Sequence, residues 1–145
     1  MEQYSNNIVD IHYLQTGAAT SVNALGMREM QALAYEARDK RFLLIKAPPA
    51  SGKSRALMFI ALDKLAHQGI KKVVVAVPEK SIGRSFKNTN LVNGGFFANW
   101  EVPTYFNLTD VKNEQDKKGR FIEFFHHKGA KVLVCAHATL RWFAG

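Results

Sequence analysis

Residues 43–62 read "LLIKAPPASGKSRALMFIAL". An apolar run enters a small turn holding two prolines. The turn ends in Gly52-Lys53-Ser54, and an apolar-periodic pattern begins at once. The run "FLLIKA", residues 42–47, is bounded by charge on one side and by Pro48 on the other, which reads as a buried strand. Lys53 to His67 reads as a helix with Leu57, Ile60, Ala61 and Leu65 on its apolar face, ended by Gly69. A turn that leaves a strand and opens a helix converges several backbone N–H groups where the helix dipole is positive, which suits an anion. Residues 47–54 fit Ala-x-x-x-x-Gly-Lys-Ser, the phosphate-binding pattern with Ala47 in the first glycine position. In such a loop Gly52 lets the backbone approach a phosphate. Lys53 reaches the β- and γ-phosphates as a point charge, and the Ser54 hydroxyl takes one site on Mg²⁺. Pro49, Ala50, Ser51 and Arg55 complete the expected lining. An ordinary strand-to-helix turn would spell the same letters, but the strand before it and the helix after it favour the phosphate.

The flanking chain repeats this alternation. Residues 1–26 are a polar lead-in with room for one short strand or turn. Met27 to Arg38 reads as a helix with Met27, Met30, Leu33, Ala34 and Ala37 on one face. "KVVVAVP", residues 72–78, is β-branched, expected to be buried on both faces, and stopped by Pro78. Lys80 to Phe86 is a short helix, and residues 88–103 form a loop by composition. Residues 104–109, "TYFNLT", offer a further strand. Asn113 to His127 is a helix bringing Phe121, Ile122, Phe124 and Phe125 together, and "KVLVCA", residues 131–136, is another buried strand. Strands alternating with helices imply βαβ units and a parallel sheet, an α/β fold.

Composition narrows the function classes. The 145 residues are 47% hydrophobic, ordinary for a globular chain with a real core. No apolar stretch approaches the ~20 residues that a membrane span needs, and the N-terminus lacks the basic and apolar regions of a signal peptide. Cys135 has no second cysteine to pair with, so a cytoplasmic location is expected. Lys and Arg number 20 against 12 Asp and Glu, a net +8. That excess suits a polyanion, nucleic acid first, although it also serves plain solubility.

Taken together, four stretches resemble the first RecA-like ATPase domain of superfamily-2 helicases, closest to the helicase-like subunits of type I and type III restriction enzymes. They are "MREMQALAY", "APPASGKS", "VVVAVPEKSIGRSF" and "VLVCAHATLRWF". The second resembles that superfamily's Walker A motif, where Ala commonly replaces the first Gly. The other three are degenerate and count mainly by order and spacing. The resemblance implies a P-loop NTPase three-layer sandwich with a mainly parallel sheet. It divides the chain into a lead-in, 1–26, and a partial ATP-binding domain, 27–145. It implies that Gln31 reads adenine through its amide, with Arg28 in support. Lys53 and Ser54 become ligands of ATP and Mg²⁺, Lys53 also the catalytic residue. Pro78, Lys80, Ser81 and Arg84 fall where the family touches the nucleic-acid backbone, and Thr139 caps the last helix and offers its hydroxyl to another phosphate. His137 departs from the Thr often found there. For Gln31 a solvated helix position stays open, and for the basic turn a solvated basic helix. The implied partners are nucleic acid, DNA before RNA, and the rest of a larger helicase-like chain.

Other residues invite chemistry less well. His126 and His127 are adjacent and point ~100° apart on a helix, so one metal would rarely take both. Cys135 lies within an apolar strand and reads as a structural thiol. Phe96, Phe97, Trp100, Tyr105 and Phe106 either stack on bases or close a sheet edge over the loop. No apolar run ends in the Asp-Glu pair that hydrolysis in this family uses, so the expected chain stops before the acidic Walker B strand, holds ATP and scarcely hydrolyses it. A small-molecule P-loop kinase and a non-catalytic nucleotide-binding module remain as alternatives.

Overall fold

The computed structural model describes residues 8–12 and 21–142, with the backbone alone given for 8–12, Lys80 and Ser81. Two compact units make up the chain. The first comprises Met1–Gly69 with Asn90–Asn99, the second Ile70–Thr89 with Trp100–Gly145.

In the first unit, β1 (Ile8–His12) pairs in parallel with β2 (Phe42–Lys46), Ile8 opposite Phe42 and His12 opposite Lys46. The lead-in thus contributes a strand. Helix α1 (Glu29–Glu36) lies between the two strands in sequence, and α2 (Lys53–His67) follows β2. The core joins Met30 and Ala34 of α1 to Ala56 and Ile60 of α2, with Leu43 and Ile45 of β2 packed against them. Strand β2 is therefore covered on one face, while Phe42 and Leu44 on the other are exposed. This corrects the expectation of a wholly buried strand: among the described residues the helices cover only one face of it.

The apolar face of α2 is also rotated from the expected one. Ala56, Met58, Phe59 and Ile60 are buried, while Leu57 is exposed. Two neighbours demand two faces of this helix. Ala56 and Ile60 meet α1, and Phe59 meets Phe96 edge-on with ring centroids 4.7 Å apart. Phe96 also lies 5.7 Å from the Tyr35 ring. A loop aromatic expected to stack on bases or close a sheet edge instead completes a helix pair.

In the second unit, β3 (Val73–Val77) and β4 (Val132–Ala136) run parallel, Val73 opposite Val132. Strand β4 is buried through Cys135, as expected. Residues 73–76 of β3 are half-buried, and only Val77 of that strand is fully buried. Helix α3 (Glu114–His126) starts where expected because the Asn113 side chain accepts from the backbone N–H of Gln115 and Asp116, at 2.9 and 3.1 Å. Phe121 and Phe124 turn inward onto Leu133 and Cys135, while Ile122 and Phe125 stay exposed. A short helix α4 (His137–Arg141) follows β4 directly.

Residues 104–109 do not form a strand. They make two 3₁₀ turns, Thr104–Phe106 and Leu108–Asp110, which pack Phe106 and Leu108 with Leu133 and Cys135 of β4 and form one parallel bridge, from Asn107 to Val134. The Asn107 carboxamide accepts from both the N–H and the hydroxyl of Thr109, so the side chain offers the backbone a turn in place of a ladder. Lys80–Phe86 is a 3₁₀ helix.

Candidate functional site

The phosphate-binding pattern lies between β2 and α2, in the expected order. Two of its residues take left-handed backbone conformations: Ala50 at φ 61° and Gly52 at φ 91°. For glycine this costs nothing, whereas an L-residue there is strained. A Cβ on Gly52 would also run into Gln31 Nε2. Gly52 is therefore required twice, by its φ and by the close approach of Gln31.

Three further contacts hold the turn. Ser51 is buried, and its hydroxyl donates to the Pro48 carbonyl at 2.6 Å, reinforced by the Ser51 N–H at 3.3 Å to the same oxygen. Gln31 Nε2 donates to the Gly52 carbonyl at 3.1 Å. Gln31 Oε1 accepts from the Arg28 N–H at 2.8 Å, tying the start of α1 to the same side chain. Gln31 is buried, not a solvated helix residue.

The start of the helix carries no side-chain cap. Gly52 is the N-cap of α2 and supplies no side-chain acceptor, and no acidic residue stands in the first turn. The first N–H groups of a 15-residue helix thus have neither a capping oxygen nor a carboxylate competing for them. Lys53 and Arg55 are exposed, and Ser54 is half-buried. An anion with several oxygens fits this donor set. A divalent ion would gain one hydroxyl, from Ser54, and take its other positions from phosphate oxygens and water, as Mg²⁺ commonly does. Among the described residues no group of three or more His, Cys, Asp or Glu could hold a metal unaided.

Behind the site lies a network that the sequence reading missed. Asp63 of α2 is buried. Its Oδ1 accepts from Tyr35 Oη at 3.1 Å and meets His67 Nδ1 at 3.0 Å; its Oδ2 accepts from Gln68 Nε2 at 2.8 Å and pairs with Arg38 Nε at 3.3 Å. Burial by itself would raise the Asp63 pKa. Hydrogen bonds from Gln68, His67 and Tyr35 and the Arg38 charge outweigh it, so the carboxyl titrates below its ordinary value. The Tyr35 hydroxyl is pushed up, by burial first and then by its bond to that carboxylate. The network fastens the far end of α1 to the far end of α2, while Gln31 fastens the near end. A sequence signal did exist: Asp63 is the lone acid in the helical stretch 53–67, set among apolar and basic neighbours.

The residues expected to meet nucleic acid are in the second unit. Pro78 and Arg84 are exposed, and Lys80 and Ser81 lie in the 3₁₀ helix with their side chains outside the described residues. Gly83 of that helix presses against the 108–110 turn: a Cβ there would come within 2.7 Å of Thr109 Oγ1 and 2.8 Å of its Cγ2. Thr139 is not a cap. Ala136 is the N-cap of α4, and Thr139 stands inside the helix, buried. The β4 chain passes into α4 at His137, two residues before Thr139, which leaves the threonine on an inward-facing turn.

The remaining candidates settle into structure. Phe96, Trp100 and Phe106 are core, while Phe97 and Tyr105 are exposed. Trp100 Nε1 donates to the Phe86 carbonyl at 2.9 Å. His127 Nδ1 accepts from the Ala130 N–H at 3.0 Å. Cys135 is buried, and burial pushes its thiol up to about 11, so it is no nucleophile.

The chain is 57% identical over 136 residues to a protein of Bacillus subtilis (strain 168) described as "Putative ATP-dependent helicase YeeB"; the match takes in 94% of this chain and 22% of that protein. A helicase-like relationship follows, and the chain spans about a fifth of the length of that relative. No model of a known protein family matches, and no solved structure matches. No helix among the described residues is long and apolar enough to cross a membrane.

Proposed function

We propose that this chain is the ATP-binding part of a superfamily-2, nucleic-acid-dependent helicase or translocase of the kind found with type I and type III restriction enzymes, acting on DNA in the cytoplasm. The observation that carries the reading is the turn at 47–54: left-handed Ala50 and Gly52, an uncapped helix start and an exposed Lys53 in one loop. The relative's printed name supports it independently. In this reading the fold is a P-loop NTPase domain, three layers deep, with residues 1–26 leading in.

In this reading each residue has a role. The backbone N–H groups of Ala50 and of residues 52–54 cradle the β- and γ-phosphates, and Lys53 supplies the charge. Pro49 and Arg55 flank the cradle, and Ser54 gives its hydroxyl to Mg²⁺, which would neutralise phosphate charge. Ser51 orients the loop through Pro48. Gln31 holds Gly52 in place; its second amide hydrogen and second lone pair remain for the adenine edge, with Arg28 beside it. Pro78, Lys80, Ser81 and Arg84 take the nucleic-acid backbone without reading sequence, and Thr139 supports that strand end from within. Strands β2, β3 and β4 end in Lys46, Val77 and Ala136, none of them an acid that could orient water. Binding should therefore far exceed hydrolysis.

Titration with a fluorescent ATP analogue tests the nucleotide reading. Lys53→Ala should weaken binding at least tenfold with an unchanged melting temperature, since Lys53 is exposed and takes no part in the core. Equal affinity in the variant rejects the site. Single-stranded DNA should bind with an affinity that falls steeply with salt as counterions are released, and binding indifferent to salt rejects the nucleic-acid half.

A further inference from the structure

The second unit carries a cleft that none of these roles uses. Its volume is about 290 Å³, and Lys87, Asn88, Val102, Thr104, Asn107 and Asp110 line it. Ligand clefts span ~300–1,000 Å³, so this one has room for about one ring system.

Its chemistry is fixed by the backbone around it. The Asn88 Oδ1 accepts from the Val102 N–H at 2.7 Å. The Asn107 Oδ1 accepts from the Thr109 N–H at 3.3 Å and from its hydroxyl at 2.6 Å. A backbone N–H can be met only by the oxygen of a carboxamide, so each amide is oriented without ambiguity and each NH₂ is left over. Neither NH₂ has a partner among the described residues; Asn88 is exposed, and among the described residues no buried side-chain polar atom lacks a partner, so the Asn107 NH₂ also reaches solvent. Lys87, Thr104 and Asp110 are exposed at the rim, and Val102, buried, forms an apolar floor.

Two amide donors and an ammonium disfavour a cation, while the Asp110 carboxylate disfavours a bare phosphate. The set calls for an uncharged ring that presents an acceptor beside donors on one edge. Guanine does this with O6 next to N1–H and the N2 amine: the oxygen can accept from an amide while both donors face one carboxylate. Thymine has a single imino N–H between two carbonyls, and adenine and cytosine each have one amine beside ring-nitrogen acceptors, so guanine alone sets two adjacent N–H donors against one carboxylate. Lys87 directly follows the basic 3₁₀ helix Lys80–Phe86, so the cation at the rim continues a turn already assigned to the backbone of a strand. No aromatic side chain lines the cleft. The base would be held by its edge, not by stacking, and the strand's own phosphates would have to supply the rest of the affinity.

We propose that this cleft takes one unstacked guanine of a bound nucleic-acid strand, adding a base preference to backbone contacts that have none. This rests on the nucleic-acid reading above. The test compares, by fluorescence anisotropy, a thymidine oligomer of about 15 nucleotides with the same oligomer carrying one central dG. The dG strand should bind about tenfold tighter, within the range a bidentate base contact contributes. The advantage should survive added salt better than the overall affinity does. Asn88→Asp keeps the oxygen that Val102 needs and removes the donors, and Asp110→Asn removes the carboxylate. Each should erase the dG advantage while leaving affinity for the plain oligomer within about twofold, apart from the charge change. Free guanosine monophosphate should compete only weakly; strong competition would make the cleft a mononucleotide site and overturn the proposal. Equal binding of the two oligomers, with normal salt dependence, overturns the guanine cleft and leaves the translocase reading intact. Absence of any strand binding rejects both.

Discussion

Substitution of Gln31 separates two roles that a base-reading glutamine and a loop-holding glutamine would otherwise share. Gln31→Ala removes two hydrogen bonds, to the Gly52 carbonyl and from the Arg28 N–H. At ~1 kcal/mol each the loss is about 2 kcal/mol. For a chain of this size that lowers Tm by roughly 4–8 °C. It also leaves the Gly52 carbonyl with the Ala56 N–H as its remaining donor, so nucleotide affinity should fall with stability for both ATP and GTP, and further for ATP, whose adenine edge loses its reader. Gln31→Glu is the sharper probe. It keeps the oxygen that Arg28 needs, but it sets a carboxylate oxygen where Nε2 now stands, 3.1 Å from a carbonyl oxygen. That replaces attraction with repulsion and brings a negative charge to the side of an anion cradle. Nucleotide affinity should be highest for the native chain, lower for Gln31→Ala and lowest for Gln31→Glu, although the glutamate retains more of the side-chain bulk. Differential scanning fluorimetry gives Tm, and isothermal titration with ATP and with GTP gives affinity and selectivity. The reasoning fails if Gln31→Ala leaves Tm and overall affinity unchanged and alters only the ratio of ATP to GTP. That result would make Gln31 a base reader with no hold on the loop.

Other expectations follow from single contacts. Gly83→Ala should destabilise the second unit by about 1–3 kcal/mol, because its methyl would meet Thr109 at 2.7–2.8 Å; the double change Gly83→Ala, Thr109→Ser should recover part of that in urea melts. The lowered Asp63 pKa means that its contribution is fully present above the ordinary carboxylate value near 4 and is lost as pH falls through the lower folded value. Asp63→Asn should cost about 2 kcal/mol at neutral pH and flatten the acid limb of the Tm–pH curve; an unchanged acid limb would contradict the network. Cys135 should resist iodoacetamide in native buffer and react once the chain is unfolded in urea, followed by intact mass, because its thiol is buried and pushed up to about 11.

The local pattern alone determined a good deal of this chain. The order strand, turn, helix at 42–67 is written in a short apolar run, two prolines, a glycine and a periodic stretch, all of them nearest-neighbour constraints. Helix α2 keeps the span that its pattern predicts, from Lys53 to His67. The start of α3 is equally legible, since Asn113 supplies its cap from one residue away. Parallel pairing follows from the alternation of elements. What the sequence could not show is which face of each element finds a neighbour. Leu57 and Ile60 share an apolar pattern, but only Ile60 meets α1, because Phe96, far along the chain, claims the adjoining side of the helix through Phe59. Residues 104–109 have a strand's composition, yet Asn107 binds Thr109 and turns the chain, a choice that packing against β4 lets it keep. Gln31 and Gly52 stand 21 residues apart in sequence and 3.1 Å apart in space. Composition could nominate each of them for a nucleotide site. Only the docking of α1 on α2 decided that the first would hold the second, because burial and hydrogen bonding between distant residues are set by the tertiary fold.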